Sequence, residues 1–138
     1  MKSDCLLKPE IISKFASEGV VLLKGLINNS WQNLLKEAIE DDIKNPGHHH
    51  HAYKIEGDKG LFHGSMRLWE HNENFSNFCF NSSLPSFASQ LLGATKINLF
   101  YDQLFVKEPE TINRIRWHND QPYWPIKGWS VMSFWLAL

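Results

Sequence analysis

The sequence predicts an α+β domain, with helices in the first part of the chain and strands in the second. Apolar residues recur at helical spacing in residues 1–95, whereas alternating and continuous apolar runs dominate residues 96–138. Segregation of helices from strands along the chain is typical of this class. The length of 138 residues, with 43% hydrophobic and 21% charged residues, suits one globular domain.

Three segments carry the start and stop signals of helices. The first, residues 9–17, has Pro9 in its first turn and Gly19 just past its end. The second is capped by Asn29 or Ser30 and ends at the Asn-Pro-Gly sequence of residues 45–47. The third, residues 84–92, follows a capping serine, Ser82 or Ser83, and ends at glycine 93.

The second helix has two distinct faces. Its predicted core stripe consists of Leu34, Leu35, Ala38, Ile39 and Ile43. Its acidic face, which we expect to be solvated, consists of Glu37, Glu40, Asp41 and Asp42. A short amphipathic segment follows later in the chain, and its Phe75 and Phe78 are expected to pack in the core.

Four apolar segments predict strands, at residues 20–23, 96–107, 115–120 and 129–138. Both faces of the 96–107 segment are mainly apolar, so both are expected to be buried. Gln103 and Lys107 fall on one of these faces, where a polar group needs a partner or a polar ligand. The 129–138 segment is nearly all apolar, as expected for a strand packed on both sides in a β-sandwich.

Charge and cysteine content exclude several functional classes. The net charge is −1 and no run of Lys or Arg is present, so nucleic acid is not an expected partner. Cys5 and Cys79 are too few for a disulfide framework, and the first residues lack a secretion signal. No apolar run approaches the ~20 residues that span a bilayer. We therefore expect a cytoplasmic protein without membrane contact; its oligomeric state stays open.

Residues 47–60 lose periodicity and contain the histidine run of residues 48–51, with Gly57 and Gly60 as loop signals. A histidine tract can bind metal. An ordinary mobile loop, a cloning relic and an active-site lid are the alternatives, and the ordinary loop is preferred. His63 belongs to the same question: it either faces the substrate or bonds to the backbone.

The motif with the most chemical content is Arg-Trp-His-Asn-Asp-Gln-Pro-Tyr-Trp-Pro, at residues 116–125. In an extended strand, His118 and Asp120 project to the same side while Asn119 points away. One imidazole and one carboxylate are two thirds of the facial set, two histidines and a carboxylate, that holds non-haem Fe(II). The His-x-Asp triplet alone is weak evidence for a metal site, because it also occurs in surface turns and hydrogen-bonded pairs.

The sequence around this motif supports its interpretation as a metal site. It includes Leu-Phe-Tyr-Asp-Gln-Leu-Phe-Val-Lys-Glu-Pro-Glu at residues 99–110 and Gly-Trp-Ser-Val-Met-Ser-Phe-Trp-Leu-Ala-Leu at residues 128–138. Together these blocks resemble the phytanoyl-CoA dioxygenase family of Fe(II)- and 2-oxoglutarate-dependent oxygenases. Weaker likenesses at residues 18–26 and 91–96 extend the resemblance over most of the chain. Asn119 and the pair Ile115-Arg116 depart from the family pattern, which affects substrate contacts more than the metal.

The resemblance implies a double-stranded β-helix (jelly-roll, cupin-like) core supported by N-terminal helices. Residues 1–95 would be the helical support with an initial strand, and residues 96–138 the first barrel strands with the metal motif. It implies Fe(II) held by His118 and Asp120, with 2-oxoglutarate as co-substrate and succinate and CO2 as co-products. The neighbours of 2-oxoglutarate that it implies are Gln103, Asn119, Trp135 and, at the pocket rim, Lys107.

The primary substrate is expected to be small or medium in size and to contact Trp124, Tyr123 and His63. An acyl-CoA is not expected, because no basic cluster would hold the CoA phosphates. The family's second metal histidine and its 2-oxoglutarate-binding arginine are expected downstream of residue 138. The chain would then be the N-terminal part of a longer oxygenase and inactive alone. The alternative is a cupin-like metal-binding or structural fragment without turnover.

Overall fold

The computed structural model describes residues 6–112 and 114–138, which form four helices and a small antiparallel sheet. The helices are α1 (Pro9–Glu18), α2 (Asn29–Lys44), α3 (Glu73–Asn81) and α4 (Leu84–Leu92). The strands are β1 (His50–Tyr53), β2 (Phe62–Met66) and β3 (Gln103–Lys107). Single 3-10 turns occur at Leu68–Glu70 and Gln121–Tyr123. This mixture is compatible with the predicted α+β class.

The predicted helices form close to their predicted ends. α4 has the predicted bounds, and Gly93 ends it with a positive φ of 61°, which glycine adopts at no steric cost. Gly19 ends α1 in the same way, and its N–H donates to the Phe15 carbonyl. The cap of α2 was misplaced by one residue: the side chain of Asn28 accepts from the Trp31 N–H at 3.0 Å.

Two apolar clusters hold the helices. In the first, α2 packs on α3 and the Leu68 turn through five buried residues: Leu35, Ala38, Leu68, Phe75 and Phe78. In the second, Leu7 joins α1 to Phe87 and Leu91 of α4. The predicted packing role of Phe75 and Phe78 is therefore confirmed. No helix in the described ranges is both long and apolar enough to cross a bilayer.

The sheet has the order β1-β2-β3, and both pairings are antiparallel. Gly64 of β2 lies opposite His51 on one side and Phe105 on the other, which fixes the register. Because successive side chains alternate, the sheet has two faces. The inner face, which packs toward α2, carries His50, Ala52, His63, Ser65, Leu104 and Val106. The outer face carries His51, Tyr53, Phe62, Gly64, Met66, Gln103, Phe105 and Lys107.

The β1–β2 hairpin corrects the prediction of a loop at residues 47–60. His50 and His51 lie in a strand, so the histidine run is partly ordered structure. The sequence gives no signal for this hairpin, because β1 has only four residues and no apolar alternation. Its partner strand, not its own composition, holds it in place.

A buried polar network joins α2 to the hairpin. Asp42 is only 3% exposed, so its assignment to the solvated face was wrong. The Ser65 hydroxyl donates to Asp42 Oδ2 at 2.5 Å and lies 2.8 Å from His50 Nδ1. His71 Nε2 lies 3.8 Å from the other oxygen of Asp42. The carboxylate is thus buried with partners, as a buried charge requires.

The other strand predictions were wrong over most of their length. Residues 20–23, 96–102, 115–120 and 129–138 contain no strand in the described part of the chain. At residues 20–23 the side chains alternate, since Val21 and Leu23 pack on the second cluster while Val20 and Leu22 are exposed. No neighbouring strand pairs with them, and an extended segment becomes a strand only through such pairing.

The segment before β3 has tertiary partners instead of strand partners. The Arg67 N–H donates to the Asp102 carbonyl at 3.0 Å, and the Asp102 carboxylate accepts from the Trp69 N–H at 3.2 Å. Burial raises the pKa of the Asp102 carboxyl, and hydrogen bonds from the backbone of Trp69, of Asp102 itself and of Leu68 oppose that rise. The expected burial of both faces of residues 96–107 was also wrong, because Gln103, Phe105 and Lys107 are exposed on the outer face.

Candidate functional site

The predicted metal ligands lie beside a surface depression of about 540 Å³. Its lining comes from the motif and from the last segment of the chain: His118, Asn119, Asp120, Gln121, Trp124, Val131, Met132 and Ser133. The motif is a turn rather than the predicted strand, and Asp120 has helical dihedrals (φ −70°, ψ −36°) just before the 3-10 turn. Pro122 favours this turn because its ring fixes φ near the helical value.

His118 and Asp120 nevertheless converge. His118 Nε2 lies 3.0 Å from Asp120 Oδ1. The other ring nitrogen, Nδ1, donates to the Arg116 carbonyl at 2.6 Å, which directs Nε2 toward the carboxylate. A histidine ligand commonly has its second nitrogen fixed in this way by a backbone carbonyl.

The contact is a hydrogen bond between His118 and Asp120, and its length is also compatible with two ligands of one divalent cation. Two neighbouring ligands of an octahedral ion, each bonded at about 2.1 Å, lie about 3.0 Å apart. The distance between Nε2 and Oδ1 has this value. Within residues 6–112 and 114–138, no group of three or more His, Cys, Asp or Glu side chains is arranged to hold a metal. Within these ranges the pair by itself is not a complete metal site.

Protonation competes with metal binding at this pair. The hydrogen bond to the Arg116 carbonyl raises the pKa of His118, and the Asp120 carboxylate raises it further. Metal ligation requires the deprotonated Nε2, so a cation has to displace that proton.

Contacts with other parts of the chain hold the residues that line the depression. Trp124 Nε1 donates to the Tyr101 hydroxyl at 3.0 Å, and the Trp124 ring meets Phe100 edge-on at 5.8 Å. Met132 packs against the second apolar cluster. These contacts tie the motif and residues 131–133 to the segment before β3 and to α4.

A second group of predicted site residues lies on the outer face of the sheet. Gln103 and Lys107 flank Phe105 on β3, and Trp135 stacks on Phe105 with ring centroids 6.1 Å apart. Three predicted neighbours of 2-oxoglutarate thus share one face. Neither Gln103 nor Trp135 lines the depression beside His118.

The other predicted residues are dispersed. Asn119 lines the depression, and its side-chain oxygen accepts from the Gln121 N–H at 3.0 Å. Trp124 also lines it, whereas Tyr123 is strongly exposed in the adjacent turn. His63 is buried on the inner face, where Nε2 lies 3.1 Å from Glu108 Oε1. Its partner is thus a carboxylate instead of the expected backbone group.

Two contributors to the site escaped sequence reasoning. The Arg116 carbonyl orients His118, but a backbone acceptor leaves no trace in residue type. Tyr101 holds Trp124 across 23 positions, a tertiary contact without a local signal.

The sequence profile of the phytanoyl-CoA dioxygenase (PhyH) family matches residues 15–138. This match covers both the helical part and the motif. No curated protein and no solved structure matches the chain.

Proposed function

Because the chain belongs to the phytanoyl-CoA dioxygenase family, we propose that it acts in Fe(II)- and 2-oxoglutarate-dependent hydroxylation of a small or medium organic substrate. Succinate and CO2 are the co-products. The observation that supports this most directly is the 3.0 Å separation of His118 Nε2 and Asp120 Oδ1. It is the spacing that two neighbouring iron ligands need.

His118 and Asp120 would hold the iron, and Arg116 would orient His118 through its carbonyl oxygen. Bound Fe(II) supplies oxygen activation with 2-oxoglutarate as the reductant. The protein's own contribution is to orient the ligands and to limit water around them. Trp124 shields one side of the depression, and Val131 and Met132 provide apolar surface on another.

The double-stranded β-helix is part of the same proposal. In it, β3 and the segments around the motif belong to a larger barrel whose interior is the outer face of the sheet. Gln103, Lys107 and Trp135 on that face, with Asn119 beside the metal, would then contact 2-oxoglutarate. Trp124, Tyr123 and His63 remain the candidates for substrate contact. A cytoplasmic location also stays a prediction.

A non-catalytic cupin-like role is the second candidate. It is favoured by one observation: in the described ranges, no third His, Cys, Asp or Glu side chain joins His118 and Asp120 in a group that could hold a metal. A domain of this kind would bind a divalent cation weakly and would not consume oxygen.

The test is metal binding together with turnover. Fe(II) or its redox-stable substitute Mn(II) should bind the wild-type protein, and His118→Ala should abolish that binding, because a single carboxylate holds a labile divalent ion poorly. His48→Ala is the matched control, since His48 is exposed and lies outside the site. Succinate formation coupled to oxygen uptake separates the two candidates. Full 2-oxoglutarate decarboxylation by His118→Ala would contradict the metal assignment.

A further inference from the structure

The surface beside the metal motif points to a substrate class: we propose that the primary substrate is an organic acid whose carboxylate is held by the Arg116 side chain. The rest of the molecule would lie in the depression next to His118 and Asp120. This inference rests on the proposed function, because it names the substrate of that reaction.

A second, smaller depression adjoins the first. It has a volume of about 280 Å³ and is lined by Ile115, Arg116, Trp117 and His118. His118 also lines the larger depression described above, so the two depressions meet at this residue. Pockets that enclose a whole organic ligand usually have a volume of about 300–1,000 Å³. The smaller depression therefore suits one end group of a ligand, and the larger one suits its body.

Arg116 supplies the positive charge of the smaller depression. No carboxylate of residues 6–112 or 114–138 forms an ion pair with its guanidinium group, whereas Arg67, for example, pairs with Glu70. Arg116 is also exposed, so a ligand can reach it. The N–H donors of this guanidinium group can therefore meet the oxygen atoms of a ligand.

The charge balance around Arg116 favours an anion. Residues 114–138 contain one carboxylate side chain, that of Asp120, and three permanently cationic side chains, those of Arg114, Arg116 and Lys127. The Asp120 carboxylate already contacts His118 Nε2, at 3.0 Å. This part of the chain therefore attracts anions, although the whole chain has a net charge of −1.

The guanidinium group favours a carboxylate over a phosphate. Its planar fork forms two parallel hydrogen bonds with a carboxylate, a geometry that a lysine ammonium cannot reproduce. A phosphate has three acceptor oxygens and a charge close to −2 at neutral pH, so it suits a cluster of cations. Among the residues that line the smaller depression, Arg116 is the one permanent cation.

The backbone of Arg116 connects this charge to the metal pair. Its carbonyl oxygen accepts from His118 Nδ1 at 2.6 Å, so the residue that would hold the carboxylate also orients a predicted metal ligand. A ligand fixed at the guanidinium group would extend past His118 into the larger depression. Apolar surface is provided there by Trp124, Val131 and Met132. The substrate would thus be an acid with an apolar body that passes the metal pair.

Two probes of equal size test this proposal in titrations of the full chain, followed by nuclear magnetic resonance. Hexanoate carries the carboxylate, and hexanamide has the same body without the charge. We expect hexanoate to bind at least about tenfold more tightly, because a hydrogen bond to a charged group contributes more than one between neutral groups. Its binding should shift the side-chain N–H signals of Arg116 and Trp124, which lie at the two ends of the proposed site.

Two variants with the same loss of charge complete the test. Arg116→Gln retains the backbone carbonyl that orients His118, so the fold should persist while the affinity for hexanoate falls to that for hexanamide. Arg114→Gln is the matched control, because Arg114 is exposed in the same segment but lines neither depression. Its affinity for hexanoate should stay within about twofold of the wild type, since an exposed charge outside the site is screened.

Several results would overturn the proposal. Hexanoate might be ignored, it might bind no better than hexanamide, or the two arginine variants might weaken it equally. Because 2-oxoglutarate is also a carboxylate, its binding is measured in the same variants. If Arg116→Gln weakens the binding of 2-oxoglutarate but not that of hexanoate, the guanidinium group serves the co-substrate and the proposed substrate class is wrong.

Turnover separates this proposal from the oxygenase proposal. Succinate released from 2-oxoglutarate without any hexanoate reports the oxygenase chemistry alone. If succinate forms but hexanoate and hexanamide bind alike, only the substrate class is wrong. If hexanoate binds selectively through Arg116 and no succinate forms under any condition, the oxygenase proposal fails while the carboxylate site remains.

Discussion

Gly60→Ala should destabilise the protein, although glycine 60 does not need a left-handed backbone. A Cβ at this buried position would lie 2.9 Å from both Glu108 Cβ and Thr111 Oγ1, and closer still to the Pro109 carbonyl oxygen. Real Cβ atoms do not approach other atoms this closely, so the backbone after β3 would have to shift. Overpacking of this kind costs about 1–3 kcal/mol.

Gly64→Ala is the matched control, because its new methyl group meets no atom closer than 3.8 Å. Replacing glycine at a compatible position stabilises a protein by about 0.4–1 kcal/mol through the unfolded state. Urea denaturation of the two variants should therefore move in opposite directions, with Gly60→Ala also lowering the melting temperature by several degrees. A Gly60→Ala protein as stable as the wild type would show that the turn at residues 108–111 does not pack on glycine 60.

Three further perturbations probe the core, a charge and a thiol. Phe87→Ala should lower the free energy of unfolding by about 3–5 kcal/mol in chemical denaturation, because the Phe87 side chain is fully buried. Phe80 is half exposed, so Phe80→Ala should lower it much less. Equal losses in the two variants would contradict this packing. The Leu61 N–H, with help from His63, lowers the pKa of Glu108, so its ionised form stabilises the fold at neutral pH and this contribution disappears as the pH falls through the lowered value. Glu108→Gln should thus reduce the urea midpoint near pH 7, and by progressively less as the pH falls below the ordinary carboxylic acid range, and a difference that does not change with pH would refute this. Burial raises the pKa of Cys79 to about 12, so in a Cys5→Ser background a thiol reagent should label it only on unfolding, and rapid labelling of the native chain would contradict that.

The helices could be predicted because their signals are local. Ser83 and Gly93 bracket α4, and the apolar stripe of α2 needs only the helical period to be recognised. Such features depend on neighbours in sequence, which the sequence displays directly. The convergence of His118 and Asp120 was also expected, although it arises from a turn instead of a strand.

The β1–β2 hairpin and the burial of Asp42 could not be predicted, because both depend on distant partners. Asp42 looks like one more acidic residue on a solvated helix face until Ser65, 23 positions away, donates to it. In the same way, residues 129–138 have the composition of a strand, but no strand in the described ranges pairs with them. Tertiary context decides strand formation more than composition does.

The hydrogen bonds around Asp42 also help to specify the register of the β1–β2 hairpin. His50 and Ser65 are directly opposed in the β1–β2 register, and both point inward to the carboxylate. A slip of β2 by one residue would turn Ser65 outward and place an apolar neighbour against Asp42. The misaligned hairpin would then enclose a charge without its donor, a penalty of a few kcal/mol. One serine hydroxyl thus discriminates against the wrong alignment of two strands that have little apolar pattern of their own.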